Sequence, residues 1–308
     1  MCKLKFFLSY LALSLVVWTP SAVAQQDAVA LTFDDLPVHG PLPPGMTRLE
    51  VERSIVAALH AAHAPKVYGF VNAKRLDEDP GTLQVLKEWK AAGFPLGNHT
   101  YSHPNLNQLS VEAYEKEIAD GEPVLQHVMG NEDWHWFRYP FLAEGDTPEK
   151  RRAIRDYLKQ HGYRVAEVTL SFADYDYNDP YARCMAKGDT QSIELLKTIY
   201  LEAAADSLAF GQQEALLAYG RPVKHVMLLH IGAFETVMLP HLLDLLKEKG
   251  FRLVTLAEAE SDPAYDADPE LTLKYGGSPL VRAIAAKHLP FPTHPEGQTA
   301  ARLEALCR

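Results

Sequence analysis

The strongest constraint on the fold of this 308-residue chain is a regular alternation of short apolar runs with longer amphipathic stretches. Residues 28–33, 66–71, 94–97, 134–138, 164–170, 225–229 and 251–256 have the length and apolar density of buried strands. Between them, residues 48–63, 81–92, 111–129, 148–161, 192–219 and 236–249 carry a helical period, and several end at a glycine such as Gly130 or Gly220. Strands separated by helices pair in parallel through crossovers. Seven of them in a chain of this size predict an α/β fold, a TIM-like (β/α) barrel of about seven parallel strands rather than an open sheet. In such barrels the active groups gather at the carboxyl ends of the strands.

The two ends of the chain read differently. Lys3 and Lys5, an apolar run over residues 6–18, and Ala22-Val23-Ala24 before Gln25 have the three-part pattern of a secretory signal over residues 1–24. The expected address is secreted or periplasmic. The run is shorter than the roughly 20 residues a spanning helix needs, so no stable membrane insertion is expected after cleavage. Residues 25–260 form the expected barrel domain, and residues 261–308, broken by six prolines from Pro263 to Pro295, an appendage packed on it with short helices at 279–287 and 299–306. Without residues 1–24, which hold two lysines and no acid, the net charge falls from −10 to −12. That sign argues against nucleic acid and anionic membranes as partners. Cys184 and Cys307 remain, and in an oxidising compartment they either pair or stay as free thiols.

Charged and polar residues appear just where the apolar runs stop. Asp34 and Asp35 follow the first run, and His99 and His103 follow the third. One Asp and two His are a common ligand set for a divalent metal with an open position, and the second Asp is then placed to take a proton from an attacking water. The plainer alternatives are backbone-bonding histidines in a turn and a helix-capping aspartate. His230 ends the run before it, where it is either a structural histidine or a proton donor to a leaving group, with Asp174 orienting and charging it. Leu228 lies two residues earlier on the same strand face, as core or as the wall of an acyl pocket. The remaining histidines read as structural or solvated. His39 is the exception, since it is near enough in sequence to the Asp pair to reach the metal rim or the substrate.

Thr32-Phe33-Asp34-Asp35, Asn98-His99-Thr100-Tyr101-Ser102-His103, Arg138-Tyr139-Pro140-Phe141, Asp174-Tyr175 and Leu228-Leu229-His230 together resemble the five ordered motifs of the NodB-type polysaccharide deacetylases, carbohydrate esterase family 4. The resemblance spans residues 28–258. It implies a distorted barrel with fewer than eight regular strands, and Asp35, His99 and His103 holding Zn²⁺, with Co²⁺ or Ni²⁺ as substitutes. It further implies Asp34 as the base, Arg138 paired with it, and the backbone N–H of Phe141 as an oxyanion donor. Three positions depart from the family pattern. Leu36 stands where glycine commonly follows the Asp pair, and Tyr175 replaces a tryptophan, which leaves Asp174 and Asp176 both open as the acid's partner. The long helical stretch at 192–219 is inserted between the fourth and fifth motifs, where it could narrow or cap the cleft.

The function implied is a metal-dependent hydrolase that removes acetyl groups from an N-acetylglucosamine-type glycan. An O-acetyl (xylan-type) esterase would use the same residues on an easier leaving group. A non-catalytic glycan-binding relative would have no need of Asp34, Asp174 and His230 together.

Overall fold

The structure, a computed structural model, describes residues 26–266, 268–273, 277–293 and 299–308. The expected secretory signal lies outside these residues. Among the described residues, seven strands form one parallel sheet: β1 (Ala28–Leu36), β2 (Tyr68–Val71), β3 (Leu96–Asn98), β4 (Trp136–Phe137), β5 (Arg164–Val165), β6 (Lys224–His230) and β7 (Arg252–Leu253). The spatial order is β5-β4-β3-β2-β1-β6, with β7 paired to the start of β1. After β5 the chain leaves β4 and crosses to the outer edge of β6, where Thr169 and Leu170 donate to the Val226 carbonyl. Residues 164–170, read as one strand from sequence, therefore serve both edges of the sheet and curl it toward closure.

A period of two along the strands sorts the side chains. On β1, Val29, Leu31 and Phe33 face the helical layer, whereas Ala28 and Ala30 pack in a separate inner cluster with Phe70, Trp136 and Val226. Continuing that inner face upward gives Thr32 and then Asp34. The same continuation from Trp136 gives Arg138, and from Val226 it gives Leu228 and His230. The lower half of the barrel is thus apolar and tightly filled, and its upper half carries the polar groups.

The helices α1 (Arg48–Ala61), α2 (Lys74–Glu78), α3 (Leu83–Ala91), α4 (Val111–Met129) and α5 (Pro148–Gln160) cross over between strands. They are followed by α6 (Asn178–Lys187), α7 (Thr190–Tyr219), α8 (Glu235–Glu248), α9 (Leu256–Ala259), α10 (Pro279–Ala286) and α11 (Thr299–Ala305). Their starts are capped as the sequence suggests: Thr47, Ser110, Thr147 and Asp189 each accept a backbone N–H of the first turn. Three of them, α2, α6 and α9, escape the sequence reading because each is short or follows another element without a break in polarity. The run at 251–256 likewise divides, pairing only at Arg252–Leu253 before Leu256 opens α9.

Residues beyond 260 are held to the barrel by charge as well as packing. Arg282 reaches Glu144 at 2.7 Å and Glu167 at 2.8 Å, and Arg151 reaches Asp268 at 2.7 Å. Cys184 on α6 and Cys307 near the end of the chain form a disulfide, with their Cα atoms 5.2 Å apart and a sequence separation of 123. A bond closing so long a loop chiefly restricts the unfolded chain. Cys307→Ser should accordingly lower stability by about 2–4 kcal/mol in non-reducing buffer. Adding reductant should bring the wild type to the same denaturation midpoint, and identical midpoints for oxidised and reduced wild type would mean the bond does not form.

Candidate active site

Two adjacent strand residues ordinarily point to opposite faces. Asp34 and Asp35 both line one cavity because Asp35 adopts a left-handed backbone (φ 65°), which turns its side chain back to the side Asp34 already faces. The loop after β3 is coiled in the same way by Thr100 (φ 68°) and His103 (φ 60°), and the rings of His99 and His103 come to 4.9 Å between centroids. Asn98 keeps that coil in shape. Its side chain accepts from Thr100 N at 2.8 Å and donates to the Ile118 carbonyl at 3.0 Å.

The cavity, about 350 Å³, opens at the carboxyl ends of the strands, with Asp34, Asp35, His99, His103, Leu228 and His230 on its wall. One ligand atom from each of Asp35, His99 and His103 lies within 4.8 Å of the others. The Nε2 atoms of His99 and His103 stand 3.7 and 3.5 Å from Asp35 Oδ1. That oxygen is buried and, among the described residues, has no hydrogen-bond partner. His99 donates from Nδ1 to the Arg138 carbonyl at 2.7 Å, which leaves its Nε2 lone pair directed at the gap. Burial lowers the pKa of both histidines to about 4, so both are neutral imidazoles at neutral pH. Burial would raise Asp35, yet a hydrogen bond from His39 and the surrounding imidazoles hold its carboxyl far below the usual range. An ionised carboxylate with an orphaned buried oxygen, facing two neutral imidazoles, fits a divalent cation.

Asp34 has a different environment. Arg138, fully buried, reaches its two oxygens at 3.2 and 3.3 Å and also donates to Thr32 Oγ1 and the Ala166 carbonyl. Burial nevertheless outweighs the guanidinium, and the Asp34 pKa rises to about 6. Such a carboxyl can take and release a proton near neutrality.

On the opposite wall, Asp174 holds His230 twice, accepting from its backbone N at 2.6 Å and its Nδ1 at 2.9 Å. Burial alone would lower the His230 pKa, but the Asp174 carboxylate lifts it to about 9. The choice left open by sequence falls to Asp174, since Asp176 makes no such bond. Tyr175, in the tryptophan position, stands edge-on to His230 at 5.1 Å. Phe141 follows Pro140 in a left-handed conformation (φ 58°) and lays its ring on His103 at 4.6 Å.

Two outcomes go beyond the sequence reading. The inserted helix α7 contributes no side chain to the cavity wall and does not cap it. It stands behind the site, where Tyr200 donates to buried Glu235 at 2.5 Å and Ser207 supports the Ser171 carbonyl at 3.0 Å. Burial, reinforced by the charge of Asp174, raises Glu235 well above the carboxylate range. Thr32 and Asn98 lie inside the quoted motifs and carried a signal. Ser171, Asn178 and Glu235 had none, because they belong to the site only through the way distant segments meet.

A family profile described as Polysaccharide deacetylase matches residues 22–166, which hold the first three motifs. Over 239 residues the chain is 27% identical to a chitin deacetylase of Arthroderma benhamiae, covering 76% of this chain and 52% of that protein. Over 124 residues it is 30% identical to a peptidoglycan-N-acetylglucosamine deacetylase of Bacillus cereus, covering 37% and 40% of the two. The chain spans about half the length of the curated relatives it matches. In structure it is similar to a carbohydrate esterase family 4 pseudoenzyme from Bacillus anthracis, with a TM-score of 0.53 at 18% identity over 76% of this chain and 66% of that one. A likeness that distant speaks for the fold alone. By its profile match over residues 22–166 and by these relatives, the chain is similar to the polysaccharide deacetylase family, the NodB-type carbohydrate esterase family 4.

Proposed function

We propose that this protein is a metal-dependent hydrolase that removes acetyl groups from an acetylated glycan, with an N-acetylglucosamine-type amide as the bond cleaved. The observation that carries this reading is the orphaned Asp35 Oδ1 facing His99 and His103, set between an Asp34–Arg138 pair and an Asp174–His230 pair. The names of the relatives, chitin deacetylase and peptidoglycan-N-acetylglucosamine deacetylase, support the substrate class. A secreted or periplasmic address rests on residues 1–24, outside the described part of the chain.

Asp35, His99 and His103 hold the ion in this reading. Zn²⁺ suits a carboxylate with two imidazoles best, and Co²⁺ or Ni²⁺ could substitute. A bound divalent ion would supply Lewis-acid polarisation of the acyl group and a more acidic water. Asp34 takes the proton of the attacking water as its oxygen bonds the carbonyl carbon, and Arg138 keeps the carboxyl aimed. The N–H of Phe141 meets the developing oxyanion, and Leu228 lies against the acetyl methyl. His230 passes its proton to the departing nitrogen as the C–N bond breaks, giving acetate and a free amine. Asp174 fixes the tautomer of His230 and sustains its charge. The same donor would serve an N-acetyl amide or an O-acetyl ester, and the amide depends on it more, because an amine cannot leave unprotonated.

Chelation should abolish acetate release from N-acetylated chito-oligomers, and added zinc, cobalt or nickel should restore it. Metal analysis then separates the roles: His99→Ala and His103→Ala should lose the ion, whereas Asp34→Asn should keep it while turnover falls by about a hundred- to ten-thousand-fold. Full activity in a verified metal-free preparation would end the metal assignment.

Amide cleavage should also be much more sensitive to the acid than cleavage of an activated aryl acetate, whose leaving group departs unprotonated. His230→Ala should therefore slow the amide by about a hundred- to ten-thousand-fold while sparing the aryl ester, and Asp174→Asn should show the same pattern more weakly. Equal losses on both substrates would make His230 a structural residue.

A further inference from the structure

A carboxylate that ligates through one oxygen is well defined only if its other oxygen is held, because the terminal torsion of an Asp side chain is soft. In the Asp35 side chain the two oxygens are treated differently. Oδ1 faces the Nε2 atoms of His99 and His103, and Oδ2 is 2.8 Å from His39 Nδ1. An ionised carboxylate only accepts, so Nδ1 of His39 is the donor. The His39 ring also lies 4.9 Å from that of His230, filling the space between the ligand cluster and the Asp174–His230 pair.

The segment that carries His39 is tied down from three sides. A turn brings Val38 N to the Asp35 carbonyl at 2.8 Å, which carries the following residue back over the carboxylate. Arg48, at the start of α1, donates to the carbonyls of His39 and Gly40 at 3.0 and 2.6 Å. Asn178, at the start of α6, donates to the Pro41 carbonyl at 2.8 Å and accepts from Phe234 N at 3.2 Å, linking this loop to the one after β6. Gly40 is required at this crossing, since a Cβ there would come within 2.4 Å of Asn178 Nδ2 and its φ is 58°. A solvent-facing loop would need none of these ties. They make sense for a side chain whose position matters.

We propose that His39 is a positioning residue of the metal centre: its Nδ1–H locks Oδ2 of Asp35, so that Oδ1 alone is presented to the ion beside His99 and His103. The lock rests on the metal reading given above and deepens it, because His39 lies outside the three-ligand set and acts only through Asp35. Partners of this kind typically change metal affinity by about 10- to 100-fold when removed.

The test uses the full chain stripped of metal and measures Zn²⁺ affinity by equilibrium competition with a chromophoric chelator, independently of activity. His39→Ala should bind zinc about 10- to 100-fold more weakly than the wild type. His39→Asn places an amide N–H where Nδ1 was and should recover most of the affinity. His39→Gln places its amide at the Nε2 position and should behave as the alanine variant does. Wild-type affinity in His39→Ala would overturn the proposal, and so would equal weakening in the Asn and Gln variants, a comparison that holds even if the alanine variant fails to fold. A wild-type protein that binds no zinc would instead overturn the metal reading itself.

Discussion

The buried Arg138–Asp34 contact organises the upper half of this barrel. A guanidinium placed among strands must have its donors satisfied, and here it bonds Asp34, Thr32 and the Ala166 carbonyl while its face covers Phe70 at 4.8 Å. Those partners come from β1, β2 and the segment after β5. The main chain of Arg138 adds two more ties: its N–H bonds the Asn98 carbonyl, and its own carbonyl takes the Nδ1 proton of His99. One residue therefore fixes the base candidate, sets the tautomer of a ligand candidate and ties the segment after β5 to β1, β2 and β3. Removing it would strand a buried carboxylate, a change that costs about 3–5 kcal/mol in comparable sites.

Charge balance explains why the remaining groups sit as they do. Arg138 answers Asp34, and Asp174 answers the imidazolium of His230. Asp35 has only imidazoles around it, and those of His99 and His103 are kept neutral by burial. Asp35 Oδ1 is thus a buried carboxylate oxygen that no donor answers among the described residues, at the point where two lone pairs converge. A divalent ion would answer it, whereas a purely structural cluster would have been expected to supply a Lys or Arg. The related fold of a pseudoenzyme shows that a barrel of this kind does not by itself carry activity. The case for chemistry here lies in the side chains.

Backbone strain is concentrated in the same place. Asp35, Thr100, His103, Phe141, Leu142 and Ala173 are all non-glycine residues with positive φ; Asp35 lies at the end of β1, and the others follow strands at the cavity end of the barrel. Each such residue costs on the order of 1–3 kcal/mol relative to a relaxed conformation. The compensation is visible in the packed lower barrel, in the Asn98 and Asn72 side chains that bond the β3 loop, and in the ion pairs that attach the C-terminal segment. What the strain accomplishes is convergence: neighbours in sequence, such as Asp34 and Asp35, reach one cavity that a regular strand would have divided between two faces.

Most of the architecture was legible in the sequence because it follows from local periodicity. All seven strands and the long helices lie where apolar spacing puts them, and the ligand and acid candidates lie where those runs end. Periodicity does not register pairing partners, so it could not tell that residues 164–170 serve two strands or that α7 stands behind the cavity. Nor could it decide between Asp174 and Asp176, or between paired and free Cys184 and Cys307, since those choices depend on distances across 56 and 123 residues of chain. The sequence by itself determined which chemical groups stand at the strand ends. Only the tertiary structure decided which of them share a proton, a charge or a missing ligand, because hydrogen bonds and desolvation act over a few ångströms in space, whatever the separation along the chain.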